Sequence, residues 1–218
     1  MPSIREAVRK AVPFSDDAYV TIMTRARMLR SRKQVKMLLQ QATPIRLDLG
    51  GGYEPGRPGW VNVDITNEAD LFWDLRSGIP FPEGSIDALY TSHLLEHLSY
   101  DDMQQLLTEC LRVLRPGGQL SVVVPNARMY VEAYLGIHDI PDEYLAWEPA
   151  NNHTTAIDAL NYIAYMGGEH RYMFDQDNLE HILRSAGFQD VSQRDFNPLI
   201  DRIERDYESI YAVGVKSA

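Results

Sequence analysis

Apolar positions along the chain alternate between the spacing of helices and the short continuous runs of buried strands. Residues 16–40 place apolar side chains at helical spacing and contain no Gly or Pro, which predicts an N-terminal helix. Residues 99–115 carry the clearest apolar stripe, which begins at a capping pattern of Ser99 with Asp102. The segment Pro116-Gly117-Gly118 is expected to end this helix and turn the chain into the next strand.

Short apolar runs predict the strands. They cover residues 45–49, 60–65, 69–73, 86–91, 120–124, 188–195 and 209–216. A last helix is predicted over 175–186, followed by Gly187, and the two final strands could pair as a hairpin. Alternation of strand and helix predicts an α/β fold with a doubly wound, mostly parallel sheet.

The alternation is interrupted once, which suggests how the chain is organised. Residues 126–172 break it and are interpreted as an inserted lid. The chain therefore divides into an N-terminal helical extension, 1–40, and a domain, 41–218, that contains the insert.

Composition is that of an ordinary globular protein, with 218 residues, 44% apolar and 24% charged. The net charge of −10 is uneven: residues 1–40 carry nine basic and three acidic side chains, or +6, which leaves −16 on the remainder. An acidic body argues against broad nucleic-acid contact. The basic arm either meets an anionic partner or is a solvated face that pairs with the body.

The expected location follows from features that are missing. No run of about 18 apolar residues exists and no apolar leader precedes the domain. The single cysteine, Cys110, cannot form an internal disulfide. We expect a cytoplasmic protein without a transmembrane segment.

Ligand-binding features follow successive strands. Gly50-Gly51-Gly52 ends the first strand, and glycines there let a ligand approach the backbone closely. Asp64 ends the second strand, where a carboxylate can accept two hydrogen bonds from a ribose. Asp74 follows the third strand and could receive an adenine amino group beside the Leu75 backbone. Taken singly, each feature could also be a tight turn or a capping aspartate.

Several ordered motifs resemble the class I S-adenosylmethionine (SAM)-dependent methyltransferases of the type 11 kind. They are Leu47-Asp48-Leu49-Gly50-Gly51-Gly52, residues 80–89, Ser92 to Leu98, Glu109 to Gly118 (similar to "E~~RVLkPGG") and Ala186-Gly187-Phe188. The resemblance implies a seven-stranded sheet whose last strand is antiparallel, with SAM as cofactor. It assigns glycines to the methionine moiety, Asp64 to the ribose, Asp74 to the adenine and Ser92-His93 to the surroundings of the sulfonium. The implied cofactor residues are Asp48, Gly50, Gly51, Gly52, Asp64, Ile65, Asp74, Leu75, Ser92 and His93.

The sequence differs from the usual pattern of this family at two places. Tyr53 replaces the usual third glycine of the loop, and residues 53–59 are too few for a crossover helix. A subset of predicted methyltransferases near sugar and cell-surface biosynthesis genes is similar, with a second strand like Gly59-Trp60-Val61-Asn62-Val63-Asp64. We hypothesise that the N-terminal helix covers the sheet face that the absent helix leaves bare.

The segment His93-Leu94-Leu95-Glu96-His97 also spells H-x-x-E-H, a zinc-hydrolase motif when it lies on a helix. Here it directly follows a predicted strand. Because the motif follows a strand and does not begin on a helix, no residue of it is predicted to bind a metal.

Methyl transfer to oxygen usually needs a base and an acceptor pocket. His170, after Gly167-Gly168, is the first candidate for the base and His93 the second; further candidates are His138, Asp139 and Asp142. The aromatic-rich insert is predicted to form the pocket, with Tyr130, Tyr134, Trp147 and Arg171 as acceptor contacts. Arg171 or Arg128 could bind an anionic acceptor or the SAM carboxylate.

The sequence thus predicts a SAM-dependent methyltransferase that acts on a small-molecule or glycan acceptor, at an oxygen. Two alternatives stay open. One is a protein or RNA methyltransferase that uses the basic arm, and the other is a non-catalytic SAM-binding or scaffold protein.

Overall fold

The computed structural model describes residues 16–53, 57–145 and 154–217. Its sheet has seven strands in the order β3-β2-β1-β4-β5-β7-β6. β7 runs antiparallel to both of its neighbours, and the other pairs are parallel. The strands are β1 (Arg46–Leu49), β2 (Val61–Asp64), β3 (Leu71–Phe72), β4 (Ile86–Ser92), β5 (Leu114–Pro125), β6 (Gln189–Gln193) and β7 (Ser209–Val215). The doubly wound α/β prediction is confirmed, as is the pairing of the last two strands.

Helices connect and cover the strands. They are α1 (Asp16–Leu38), α2 (Tyr100–Val113), α3 (Ala127–Tyr134), α4 (Ile157–Tyr165), α5 (Gln176–Ala186) and α6 (Ile203–Asp206). Ser99 caps α2 by accepting a hydrogen bond from the Asp102 backbone N–H. Asp175 caps α5 in the same way, and Gly187 ends it with a φ of +108°. The predicted helix boundaries therefore agree with the structure to within a few residues.

The centre of the sheet is buried on both faces. Leu47 and Leu49 of β1 and Leu89 of β4 are essentially inaccessible. Apolar residues of α2 and α5 join them in one cluster. Continuous apolar strands of this kind are expected where helices cover both faces of a parallel sheet.

The Pro116-Gly117-Gly118 segment has a different role from the predicted one. α2 ends at Val113, before the segment, and β5 begins directly at Leu114. The β4–β5 register jumps from Ile86↔Leu114 to Ala88↔Gln119, so the segment bulges out of β5. A Cβ on Gly118 would lie 2.9 Å from a backbone oxygen, which explains why glycine fits this tight bulge.

The connection from β1 to β2 contains no helix in its described residues, 50–53 and 57–60. α1 packs instead at the β3 edge of the sheet, where the Ser31 hydroxyl donates to the Phe72 carbonyl over 3.0 Å. Val35 of α1 belongs to the main core. The helix is thus part of the folded unit at this edge, and the predicted domain boundaries stay predictions.

The described part of the insert has a small core of its own between α3 and α4. Tyr130 and Tyr162 stack there with ring centroids 6.1 Å apart. Nowhere in the described ranges does a helix combine the length and apolarity needed to cross a bilayer.

Candidate cofactor site

A cleft of about 280 Å³ lies where the chain connections diverge between the neighbouring strands β1 and β4. This switch point is where open α/β sheets bind ligands. The residues that line it are Asp48, Gly50, Gly51, Gly52, Tyr53, Arg57, Ser92, His93, Arg202 and Arg205. Six of the predicted cofactor residues therefore lie together at one site.

The glycine loop is closed on one side and open on the other. A Cβ on Gly51 would lie 2.6 Å from the Asn62 Oδ1 atom, and one on Gly50 would lie 2.8 Å from Leu94. A Cβ on Gly52 would meet nothing within 4 Å. Gly50 and Gly52 adopt φ values of +73° and +70°, which favour glycine. The loop thus exposes backbone to a ligand while its underside is packed.

Asp64 holds this loop in place. Its Oδ2 atom accepts a hydrogen bond from the Gly52 N–H over 3.0 Å, and its Oδ1 atom accepts one from the Thr66 N–H over 2.9 Å. Each carboxylate oxygen still has a second lone pair for a hydroxyl donor. Ile65, beside it, is 59% exposed and offers apolar surface. These positions are compatible with the predicted ribose contact, which stays a prediction.

Asp74 and Leu75 lie outside the residues that line the cleft. Asp74 caps the short turn Leu75–Ser77 and forms a 2.8 Å ion pair with Arg76, whose hydrogen bonds lower the pKa of the carboxyl. Leu75 is buried in the main core. Local capping thus accounts for Asp74, and its predicted adenine contact gains no support from this arrangement.

Arg57 is the principal cleft residue that the sequence analysis missed. Its guanidinium lies 3.7 Å from the Asp48 carboxylate and 4.4 Å from the centre of the Tyr90 ring. Its Nη1 atom is buried and has no hydrogen-bond partner. A donor held in place without an acceptor fits the carboxylate of an amino-acid ligand.

Two further arginines, Arg202 and Arg205, give the cleft an excess of positive charge. They lie just before and within α6, and Arg205 is sufficiently buried that its pKa is lowered. Burial raises the pKa of Asp48, the acid that faces them, while the three cleft arginines oppose that shift. The three arginines therefore outnumber the one acid that lines the cleft, Asp48, and the cleft can hold anionic groups of a ligand.

His93 lines the cleft but is not on a helix, because β4 ends at Ser92 and His93 has a φ of +52°. Its Nε2 atom lies 2.9 Å from the Ser209 hydroxyl, and its Nδ1 atom lies 3.6 Å from Glu96 Oε1. Burial, together with the nearby Arg205, holds the pKa of His93 well below its ordinary value. The helical zinc-hydrolase geometry is therefore absent from this segment.

His170, the other predicted base, lies behind the cleft. It is 6% exposed, its Nδ1 atom is 2.8 Å from the Ile163 carbonyl, and its ring packs edge-on against His97. Glu96 lies within 4.8 Å of a ring nitrogen of each, is 1% exposed, and has its pKa raised to about 8 by burial. His170 thus belongs to a cluster below the cleft and not to the surface that an acceptor would contact.

Of the predicted acceptor contacts, those within the described residues do not line the cleft. Tyr130 is fully buried and donates its hydroxyl to Glu208 over 2.6 Å, so its predicted acceptor contact gains no support from this arrangement. Tyr134 lines a separate hollow of about 400 Å³ beside α3 and α4, together with His138 and Asp139. Trp147 lies outside the described residues, and nothing is described of the Asp142 side chain.

The two arginines predicted for an anion also lie elsewhere. Arg171 is exposed and contributes its backbone N–H to the Glu96 carbonyl over 2.7 Å. Arg128 pairs with Glu132 on the surface of α3. Sequence order could not reveal that Arg57, Arg202 and Arg205 occupy the cleft in their place.

Comparison with known proteins agrees with the sheet order. A family model described as "Methyltransferase domain" matches residues 69–122. The phosphoethanolamine N-methyltransferase 2 of Haemonchus contortus, solved in complex with SAM, aligns with a TM-score of 0.51 at 12% identity, over 87% of this chain and 53% of that one. The fold is the Rossmann-like fold of the class I methyltransferases.

More similar sequences exist among curated proteins. The ubiquinone/menaquinone biosynthesis C-methyltransferase UbiE of Escherichia coli K12 is 25% identical over 153 residues, 70% of this chain. The aligned part spans 59% of that relative.

Among solved structures, a SAM-dependent methyltransferase from Archaeoglobus fulgidus aligns at 18% identity with a TM-score of 0.47, over 87% of this chain and 94% of its own.

Proposed function

We propose that this protein is a SAM-dependent methyltransferase whose cofactor site is the cleft between β1 and β4. The observation that carries the proposal is that Arg57, whose buried Nη1 atom has no partner, lines the same switch-point cleft as an open glycine loop. Arg57 is placed to bind the carboxylate of the methionine moiety, and Asp64 to bind the ribose. SAM, when bound, supplies an electrophilic methyl group, so the chief task of the protein is to align the acceptor with it.

The acceptor is proposed to be a small molecule or glycan that carries a negative charge and is methylated at oxygen. A negatively charged acceptor is supported by Arg202 and Arg205, which line the same cleft as Arg57 and could bind its charge. His93 is the predicted base that reaches this surface, whereas His170 does not. His93 is therefore the candidate base, and taking the acceptor proton would require its ring to release its contacts with Ser209 or Glu96.

Carbon is the second candidate acceptor atom, because the UbiE relatives are named C-methyltransferases. A carbon acceptor such as a hydroxylated aromatic ring would still need a proton removed. The two candidates differ in the product: an O-methyl ether is cleaved by hydriodic acid, and a C-methyl group is not.

The cofactor proposal is tested by calorimetric titration of SAM and S-adenosylhomocysteine into the wild type, Asp64→Asn and the exposed control Asp101→Ala. Micromolar binding to the wild type and the control is expected, with at least tenfold weaker binding to Asp64→Asn. The absence of binding to the wild type would refute the proposal and favour a scaffold role.

The acceptor proposal is tested by following S-adenosylhomocysteine release. Sugar phosphates and uronic acids should support turnover, and their neutral counterparts should do so poorly. Turnover restricted to RNA or protein substrates would instead assign the function to the basic arm, and a product methylated at carbon would overturn the oxygen assignment.

A further inference from the structure

Below the cleft, the buried Glu96 carboxylate receives no hydrogen bond from the groups around it. Glu96 is 1% exposed, and neither of its carboxylate oxygens has a hydrogen-bond partner. His93 Nδ1 lies 3.6 Å and His97 Nε2 lies 3.9 Å from its Oε1 atom. Arg205 lies near enough to act on the pKa of Glu96 but makes no hydrogen bond to the carboxylate. Burying a carboxylate without a donor is costly, and a bound cation would offset that cost.

The hydrogen bonds behind two of the histidines assign the tautomer of each ring. His97 Nδ1 lies 3.0 Å from the Glu169 carbonyl, and His170 Nδ1 lies 2.8 Å from the Ile163 carbonyl. A carbonyl can only accept, so both Nδ1 atoms carry the proton and both Nε2 atoms carry a lone pair. This is the arrangement of metal-binding histidines, whose other N–H donates to a carbonyl or carboxylate.

His93 is oriented by the same logic. The Ser209 hydroxyl donates to the Arg205 carbonyl over 2.5 Å, so it accepts from His93 Nε2. The lone pair of His93 therefore lies on Nδ1, the atom that faces Glu96. The unprotonated nitrogens of His93 and His97 thus lie nearest to the Glu96 carboxylate, at 3.6 and 3.9 Å.

We propose that Glu96, His97 and His170 form a binding site for a divalent transition-metal ion of the zinc class. One ligand atom from each of the three lies within 4.8 Å of the others. Bonds of about 2.0–2.2 Å place tetrahedral ligands about 3.3 Å apart, so small side-chain shifts close the site. Two imidazoles and one carboxylate form a zinc ligand set that leaves a fourth position for water. His93 is not one of the proposed ligands, but it lies next to Glu96.

The placement of the site indicates what the ion does. Glu96 and His97 belong to the short turn that follows β4, and His170 belongs to the end of the insert. The backbone N–H groups of Arg171 and Tyr172 already bind the Glu96 carbonyl. The ion would therefore fasten the insert to the sheet directly below the cleft, and His97, with 38% of its side chain exposed, gives it a route from solvent.

The test uses full-length protein purified without a nickel column, stripped with chelator and titrated with zinc sulfate in a calorimeter. One zinc per chain is expected, with a rise in melting temperature. Glu96→Gln and His97→Ala should each weaken binding by about 100-fold or more, because even the partners behind metal-binding histidines contribute 10- to 100-fold. The exposed histidine His181, on α5, supplies the matched control His181→Ala.

Cobalt gives a second readout that does not depend on stability. Cobalt bound to nitrogen and oxygen ligands in four-coordinate geometry should show strong visible absorption bands in the wild type and in His181→Ala, and these should vanish in His97→Ala. Melting curves of the metal-free variants show whether each still folds. No zinc binding by a folded wild type, or equal binding by His97→Ala, would overturn the proposal whether or not the cleft binds SAM.

Discussion

Replacing Arg57 with alanine should weaken the binding of SAM far more than the binding of 5′-methylthioadenosine, which lacks the amino-acid portion of SAM. The wild-type guanidinium is held in advance by the Tyr90 ring at 4.4 Å and by Asp48 at 3.7 Å. Its unpartnered Nη1 atom is already buried, so the guanidinium nitrogen has little water left to lose when a carboxylate binds. The contact is therefore expected to contribute its full strength as a charged hydrogen bond.

A hydrogen bond to a charged group contributes about 1.5–3 kcal/mol. Since each 1.4 kcal/mol is tenfold in an equilibrium constant, Arg57→Ala should raise the Kd for SAM by about 10- to 150-fold. The side chain is 22% exposed, which leaves the interaction largely protected from solvent screening. The Kd for 5′-methylthioadenosine should change by less than about threefold, because that ligand has no carboxylate to lose.

Calorimetric titration of both ligands into wild type and Arg57→Ala completes a double-mutant-type cycle that isolates the interaction of Arg57 with the charged amino-acid end of SAM. Arg128→Ala, which removes a surface arginine paired with Glu132, controls for the loss of charge. Equal weakening of both ligands would mean that Arg57 only supports the loop. Unchanged SAM binding would place the carboxylate elsewhere and refute the reasoning outright.

Three other perturbations test the fold around the site. Asp175→Ala removes the cap of α5 and should lower the free energy of unfolding by about 0.5–2 kcal/mol in urea denaturation. Gly51→Ala places a methyl group against the side chain beneath the loop, and overpacking of this kind costs about 1–3 kcal/mol, so SAM binding measured by calorimetry should weaken. Deletion of residues 1–40 should unfold or aggregate the domain, as judged by size-exclusion chromatography and melting, because α1 contributes Val35 to the core.

Matched changes separate these effects from general disturbance. Asp177→Ala lies in the first turn of the same helix but does not cap it, and should cost less than Asp175→Ala. Gly84→Ala strains the backbone at a φ of +65° but meets no neighbour, and Gly84 lies outside the residues that line the cleft, so SAM binding should be unchanged. A truncated chain with the melting temperature of the full protein would show that α1 does not stabilise the sheet.

The fold was predictable because its signals are local. Caps such as Ser99 and Asp175, and apolar stripes on α2 and α5, mark where helices begin and end, whatever lies around them. The error at Pro116-Gly117-Gly118 has a physical reason: a glycine pair can end a helix or form a bulge in a strand, and the choice depends on the neighbouring strand. That neighbour, β4, is remote in sequence.

The site was predictable only where its residues are tied to strand ends. The glycine loop and Asp64 follow β1 and β2 directly, so sheet order alone brings them together. Arg57, Arg202 and Arg205 come from the segment before β2 and from around α6, and no periodicity marks them. Asp74 shows the opposite case: its ion pair with the neighbouring Arg76 accounts for its position, and no ligand is needed to explain it.

The segment His93 to His97 lacks the helix that the H-x-x-E-H motif requires, yet two of its residues lie in the proposed metal site. H-x-x-E-H was set aside because its two histidines need one helix face, and indeed the chain turns at His93 with a positive φ instead of continuing as a helix. That turn buries Glu96 and brings its carboxylate close to His170, a residue that no local motif includes. The cluster depends on the insert folding back onto the end of β4, which is a tertiary event. A glutamate that would be solvated on an ordinary helix therefore becomes a buried, unpartnered carboxyl group, and two histidines beside it complete a set of possible metal ligands.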